Sequence, residues 1–512
     1  MPLIKRHRWL LVCLACIAPL YFVWTSTNSM GYFADDGPSY LMMARHYSPY
    51  IGESRVNAEY AATSRFPPLY PLALAWAGTA TDLHAVHILT TVFFMLGLVA
   101  YYGWLIILRI APNQAALLVM LLAVLPGSWL TGLEVQSEYL FLLLSLLALA
   151  FLAKYQHDRR DELLYAAAIL VATVALTRTI GVTLFAPLLL VLWRAPRRAA
   201  AFSVVIALLP LLTWHLLHRS KLGYGEALSS IYGHHPWRVL LTQIVQELPA
   251  LRDGFTEDFR HSFEFPRLVT DLLGSLCLIA GLWRAIKLET DGVYLVAYLA
   301  ILLVWPYPEE AKRFLWVVIP VLLGQLLMLS TAILHRRPDS RLPRLAMAVT
   351  AAAVLSMALP SISIAADRYN LAGYGSLPSA RGFRSWYDAD LAQATHTVDT
   401  EITMIDAMRR IRTETPSGDC VIAIRIDLIN YYAERRSVLP PLNSVPDPYF
   451  QSQLRAPGCR YVFMSPATHM MFPLPLHPAQ RLENNFRILD YTEVLDPPPG
   501  NGNVICILAE LL

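Results

Sequence analysis

The chain has 512 residues, of which 56% are hydrophobic and 15% charged, where a soluble globular chain carries about 25% charged residues. It is too long for one compact domain and too apolar for several soluble ones. Its formal net charge of +3 gives no sign of a nucleic-acid partner.

Apolar segments come first in chain order. About 20 apolar residues are needed to cross the hydrocarbon core. Candidate spans run over 9–24, 84–108, 113–131, 137–153, 162–177, 179–193, 199–218, 268–288, 291–305, 313–334 and 342–362. The 162–193 stretch is divided at Leu176-Thr177-Arg178-Thr179 because it exceeds one span, and an arginine at mid-bilayer is costly. The first segment follows Lys5, Arg6 and Arg8, with no small-x-small cleavage pattern after it, so it is expected to stay as an anchor.

Short loops rich in Lys and Arg favour the cytoplasm. With the N-terminus inside, the inner loops carry Arg109; Lys154, Arg159 and Arg160; Arg194, Arg197 and Arg198; Arg284 and Lys287; and Arg336, Arg337, Arg341 and Arg344. Every alternate loop is basic. The expectation is a polytopic α-helical protein of the bacterial inner membrane, with its C-terminal region in the periplasm.

Three outer segments are long: 25–83, 219–267 and the region after about Ala365. The predicted organisation is thus a transmembrane domain over 1–364 and a periplasmic α/β domain over 365–512. Within the latter, Ile402, Ile405, Met408 and Ile411 recur at helical spacing over 398–412. Cys420-Val421-Ile422-Ala423-Ile424, Tyr461-Val462-Phe463-Met464 and Val504-Ile505-Cys506-Ile507-Leu508 read as strands. Pro-rich 440–448 and 497–499 read as loops. Cys13, Cys16 and Cys277 fall in membrane segments as packing residues. Cys420, Cys459 and Cys506 fall in the outer domain, where an oxidising compartment permits one disulfide and leaves one thiol over.

Charges on the outer side supply the candidate chemistry. Asp35 and Asp36 follow the first span and lead through Gly37-Pro38-Ser39 into Tyr40. Adjacent carboxylates point in different directions, so one can act as a general base while the other fixes geometry or a cation. Ser64-Arg65-Phe66-Pro67-Pro68-Leu69 is stiffened by its prolines and presents Arg65, whose fork suits a phosphate. Glu138 enters a strongly apolar helix, so it needs a wet cavity, a cation or a partner. Arg178 and Arg313 sit at outer helix ends, against the positive-inside bias, where an anionic lipid head group would give each a task.

At these residues the chain resembles the GT-C superfamily of membrane glycosyltransferases, in particular the bacterial branch with the lipid A aminoarabinose transferase and the protein O-mannosyltransferases. The likeness lies in Asp35-Asp36 leading to Tyr40 and Ala44-Arg45, in Pro67-Pro68-Leu69, in Glu138 before Leu140-Phe141-Leu142-Leu143, in the Leu-Thr-Arg-x-x-Gly stretch ending at Gly181, and in the Arg-Phe-Leu stretch leading to Pro320. It covers about residues 9–334 and leaves the C-terminal domain without a shared motif. Such enzymes take a sugar from a polyprenyl-phosphate carrier and pass it to a cell-envelope glycan, lipid or protein. The resemblance implies that Asp35 is the catalytic base with Asp36 beside it, and that Arg65, Arg178, Arg313, Glu138 and Tyr40 contact substrate. Relatives often carry His or Lys where this chain has Ser64-Arg65-Phe66. They also differ on a divalent cation, for which Asp36 and Glu138 are the candidate ligands.

A transporter or flippase of lipid-linked saccharides, and an envelope polysaccharide polymerase or ligase, are the competing classes. A transporter would carry ionisable residues near the bilayer midplane and two related halves. Here the acidic residues gather on one side and the halves do not match.

Overall fold

The computed structural model describes residues 2–26, 36–218, 236–263, 267–305, 310–334, 391–441, 447–465, 486–493 and 505–512. Asp35 and the expected span over 342–362 lie outside the described residues, as does the 364/365 boundary.

Helix α1 (Pro2–Thr25) is followed by three short helices, α2 (Gly37–Tyr47), α3 (Arg55–Thr63) and α4 (Leu69–Trp76), which occupy the first long connection. Then come α5 (Leu83–Ile107), α6 (Pro112–Val124), α7 (Pro126–Thr131), α8 (Glu138–Asp158) and α9 (Asp161–Thr177). A 3₁₀ turn (Thr179–Leu184) leads to α10 (Phe185–Leu192) and α11 (Arg197–Leu217). Next are α12 (Pro236–Phe263), α13 (Arg267–Ile286), α14 (Thr290–Leu303), α15 (Ala311–Trp316) and α16 (Ile319–Leu334). Five of these helices are long and apolar enough to cross a membrane, and four shorter apolar helices accompany them among the described residues.

Helix α8 packs between α5 and α9, and 78% of its apolar window is buried. By contrast, 11% of the α11 window is buried, and Leu209, Leu212, Leu216 and Leu217 stand exposed on it. An exposed apolar face of that extent is what a bilayer covers. Together the helices form a membrane bundle with α8 at its centre.

The long outer segment expected over 219–267 carries secondary structure not assigned from the sequence. Its second half is the helix α12. Leu241, Val245 and Leu248 are exposed, whereas Gln243 and Glu247 are buried. Gln243 and Glu247 turn inward while Leu241, Val245 and Leu248 turn outward, the reverse of a soluble amphipathic helix over this stretch.

An aromatic cluster fixes the end of the bundle that carries Glu138 and Arg313. Tyr21 stacks on Trp129 at 4.5 Å and Phe94 on Tyr139 at 4.4 Å, with Trp316 5.7 Å from Tyr139. Trp316 Nε1 donates to Ser128 Oγ at 3.1 Å. This anchors α15 one turn beyond Arg313. At the opposite end of α14, Arg284 donates to both carboxylate oxygens of Asp291, at 2.5 and 2.6 Å, and Gln325 Nε2 donates to Asp291 Oδ2 at 2.9 Å. Arg284, one of the basic residues used to orient the chain, is thus ion-paired.

The C-terminal region begins with α17 (Leu391–Glu414), which is longer than the expected 398–412 and buries Ile405, Met408 and Ile411. β1 (Cys420–Ile422), α18 (Ile426–Tyr432), β2 (Arg436–Val438), α19 (Asp447–Arg455), β3 (Tyr461–Met464), β4 (Phe486–Glu493) and β5 (Ile505–Leu511) follow. The strands form a five-stranded sheet in the order β2-β1-β3-β5-β4. β1 runs parallel to β2 and β3, and β5 antiparallel to β3 and β4. This is the expected α/β type, although 447–448 open a helix rather than continue a loop. Cys420 and Cys459 form a disulfide, and Cys506 is a buried free thiol. The domain sits on the bundle through α18: the Arg45 guanidinium of α2 lies 4.5 Å from the Tyr431 ring and donates to its hydroxyl at 3.2 Å.

Candidate active site

Glu138 is the first residue of α8, and its side chain is wholly withdrawn from water. A carboxylate there costs several kcal/mol unless charges meet it. Two do. Arg178 Nη1 pairs with Glu138 Oε1, and Arg313 Nε lies 3.1 Å from the same oxygen.

Arg178 reaches this point because the helical segment breaks where the sequence predicts it. α9 ends at Thr177, Arg178 is extended with φ −148° and ψ 141°, and the 3₁₀ turn follows. A Cβ on Gly181 would lie 2.6 Å from the Val174 carbonyl oxygen. Only glycine lets the turn press this closely against α9, which explains the last residue of the Leu-Thr-Arg-x-x-Gly stretch.

Asp36 stands at the N-terminus of α2, with Pro38 in the first turn, but its side chain does not cap the helix. Arg313 Nη2 instead donates to Asp36 Oδ2 at 3.0 Å. Arg313 therefore bridges Asp36 and Glu138, two residues proposed from sequence as cation ligands. The positive charge between them is a guanidinium. Among the described residues, no group of three or more His, Cys, Asp or Glu is arranged to hold a metal ion.

Tyr40 is buried, one turn into α2, and meets Phe66 and Tyr70 edge-on at 5.2 and 5.1 Å. Its hydroxyl lies 3.1 Å from Ser137 Oγ, to which Arg178 Nη1 also donates at 3.3 Å. The proline motif, α2 and the start of α8 are thereby fastened together. Burial and the nearby Asp36 carboxylate push the Tyr40 hydroxyl well above its ordinary pKa, so it stays a neutral donor and acceptor.

Asp36, Tyr40, Arg65, Arg178 and Arg313 line one cleft together with the apolar Phe66, Pro67, Ile180 and Phe314. Phe314 lies 5.0 Å from the Arg178 guanidinium and 5.3 Å from that of Arg313, so one ring steadies both. The structure thus brings together Asp36, Tyr40, Arg65, Glu138, Arg178 and Arg313. Asp35, one residue before Asp36, is outside the described residues.

Trp305 and Glu310 also line the cleft and are not among the sequence candidates. Trp305 Nε1 donates to Glu310 Oε2 at 3.2 Å. Burial lifts the Glu310 carboxyl above its ordinary range, against the attraction of Arg313. Glu310 stands three residues before Arg313, but nothing in the sequence marks it as buried.

No family model and no curated protein matches the sequence. Solved structures do match the fold. The chain aligns over 98% of its length with 98% of the lipid A aminoarabinose transferase ArnT from Cupriavidus metallidurans bound to undecaprenyl phosphate, with 13% identity and a TM-score of 0.50. The apo state of that protein aligns with a TM-score of 0.50 as well. The oligosaccharyltransferase of Archaeoglobus fulgidus, tethered to an acceptor peptide, aligns over 91% of this chain and 70% of its own, with 13% identity and a TM-score of 0.53. At that identity the likeness is one of fold alone.

Proposed function

We propose that the chain is a membrane glycosyltransferase that moves a sugar from a polyprenyl-phosphate carrier to a glycan, lipid or protein of the cell envelope, on the periplasmic face of the bacterial inner membrane. The observation that carries this reading is the convergence of Arg65, Arg178 and Arg313 on one cleft that carboxylates share, in a GT-C fold. Two of these likenesses bear on substrate class: ArnT was solved with undecaprenyl phosphate, and the oligosaccharyltransferase with an acceptor peptide.

Sidedness rests on two supports. Basic residues in the alternate short loops favour the cytoplasm, and the Cys420–Cys459 disulfide is of a kind that persists in oxidising compartments. Both favour a C-terminal domain outside the cytoplasm.

The chemistry follows from the residue types. An acceptor oxygen attacks the anomeric carbon and gives its proton to Asp35, the general base in this reading. The bond from that carbon to the phosphate oxygen breaks through an oxocarbenium-like state, and its electrons settle on the phosphate. A phosphate leaving group needs charge stabilisation more than protonation. Arg178 and Arg313 can give it bidentate donors, held beforehand by Glu138 and Asp36, with Arg65 on the proline loop. Tyr40 and Ser137 keep Arg178 aimed. The test is turnover of a glycosylated undecaprenyl phosphate by purified wild type and by Asp35→Asn. The reading expects the variant to lose turnover while it still binds undecaprenyl phosphate; full turnover removes Asp35 from the role.

A further inference from the structure

The cleft lining carries two chemically different sets of groups. One, called the arginine wall, is the guanidiniums of Arg65, Arg178 and Arg313. The other, called the Glu310–Trp305 wall, is Trp305, just after α14, and Glu310, at the start of α15.

This second wall is held from several directions. Gln243 of α12 donates from Nε2 to the Trp305 carbonyl oxygen at 2.7 Å. The Trp305 ring meets Phe314 edge-on at 5.5 Å, and its Nε1 donates to Glu310 Oε2. Glu310 occupies the N-cap position of α15, yet its side chain makes no capping bond. Helix capping therefore does not explain the residue.

Asp36 and Glu310, which line the cleft, and Glu138, buried behind its arginines, are not equivalent. Asp36 and Glu138 are met by guanidiniums. Glu310 accepts from an indole N–H and, among the described residues, forms no ion pair. A carboxylate can accept about four hydrogen bonds, so one indole donor leaves acceptor capacity beside the cleft. A hydroxylated ring matches that capacity: neighbouring O–H groups donate to carboxylate oxygens, and the C–H face of the ring packs on an aromatic surface.

We propose that Glu310 and Trp305 form the subsite for the transferred sugar, with Glu310 accepting hydrogen bonds from ring hydroxyls and Trp305 packing against the ring. This rests on the glycosyltransferase reading. The carrier phosphate then lies at the arginine wall and the sugar at the Glu310–Trp305 wall, with the anomeric carbon between them. Glu310 binds and orients the sugar; it takes no proton in the reaction.

The experiment uses the full chain in lipid nanodiscs and two kinds of probe. One is undecaprenyl phosphate alone. The other is undecaprenyl phosphate carrying glucose, mannose, galactose or arabinose. Wild type is expected to bind at least one glycosylated carrier more tightly than the bare one. Glu310→Gln, which keeps size and removes charge, should weaken that carrier by roughly tenfold or more, as expected for lost hydrogen bonds to a charged group. Trp305→Phe should weaken it in the same direction, and Glu310→Asp should recover part of the loss. Bare undecaprenyl phosphate should bind all variants within about twofold of wild type, which also reports that they are folded. If Glu310→Gln leaves both probes unchanged, or weakens both equally, the subsite assignment is wrong. It is equally overturned if wild type prefers no glycosylated carrier. If wild type does not hold undecaprenyl phosphate at all, the reading of function fails first, and the subsite with it.

Discussion

Arg178 and Glu138 form an ion pair almost wholly withdrawn from water, with side chains 8% and 0% exposed. Removing one partner of a buried pair leaves the other uncompensated and costs about 3–5 kcal/mol. Glu138→Ala leaves the buried Arg178 without a carboxylate, while Arg313 keeps Asp36. It should lower the melting temperature in detergent more than Arg178→Ala does, because after Arg178→Ala the Glu138 carboxylate still has Arg313. Equal or smaller destabilisation would show that Glu138 is not the shared anchor.

Arg313 reaches Asp36 through Nη2 and Glu138 through Nε at the same time. An ammonium group has the charge but not the planar fork. Arg313→Lys should therefore stay folded yet lose one of the two contacts. A charge-assisted hydrogen bond contributes about 1.5–3 kcal/mol, so transfer should fall roughly ten- to a hundredfold. Steady-state kinetics on the purified variant measure this; wild-type kcat/KM would mean that the bridge does not matter for turnover.

Gly181 supports the same arginine through the backbone. A Cβ there would sit 2.6 Å from the Val174 carbonyl oxygen, and backbone cannot give way as a flexible side chain does. Gly181→Ala should destabilise by about 1–3 kcal/mol and displace Arg178, with transfer impaired along with thermal stability. A variant as stable and active as wild type would contradict the tight turn.

Burial lifts the Glu310 carboxyl above its usual range; Asp36 adds to the lift, while Arg313, Trp305 and Arg178 oppose it. An acid raised on folding contributes stability below its unfolded pKa and loses that contribution as pH rises through the folded value. Glu310→Gln removes the loss. The melting temperature of the variant relative to wild type should therefore rise as pH climbs through and above the ordinary glutamate range. Parallel melting curves across that range would mean that Glu310 titrates as an exposed glutamate does.

Much of this site was readable because charge stood where a bilayer protein avoids it. Glu138 in an apolar helix, and Arg178 and Arg313 against the positive-inside bias, each required a partner, and the structure makes them one another's. Apolar segments were readable for a similar reason, since hydrocarbon thickness sets their length. Glu310 was not, because a glutamate beside a loop carries no mark of burial in sequence. Trp305 looked like one more aromatic at a helix end. α12 was missed because its apolar residues fall on both faces, Leu241 and Val245 exposed and Phe255 buried, and its charges resemble those of a loop. In the C-terminal domain the all-apolar β1 and β3 were legible. β2, with the sequence Arg-Ser-Val, was too short to register, and the alternation of β4 is broken by a register shift between Ile488 and Asp490.

The most direct measurement follows a labelled sugar on undecaprenyl phosphate, mixed with purified protein and cell-envelope extract. The account predicts that label moves to an envelope acceptor and free undecaprenyl phosphate accumulates, both lost when Arg178 and Arg313 are replaced together by alanine. Label that stays on the carrier with every sugar tried, or moves equally well without the two arginines, would contradict it.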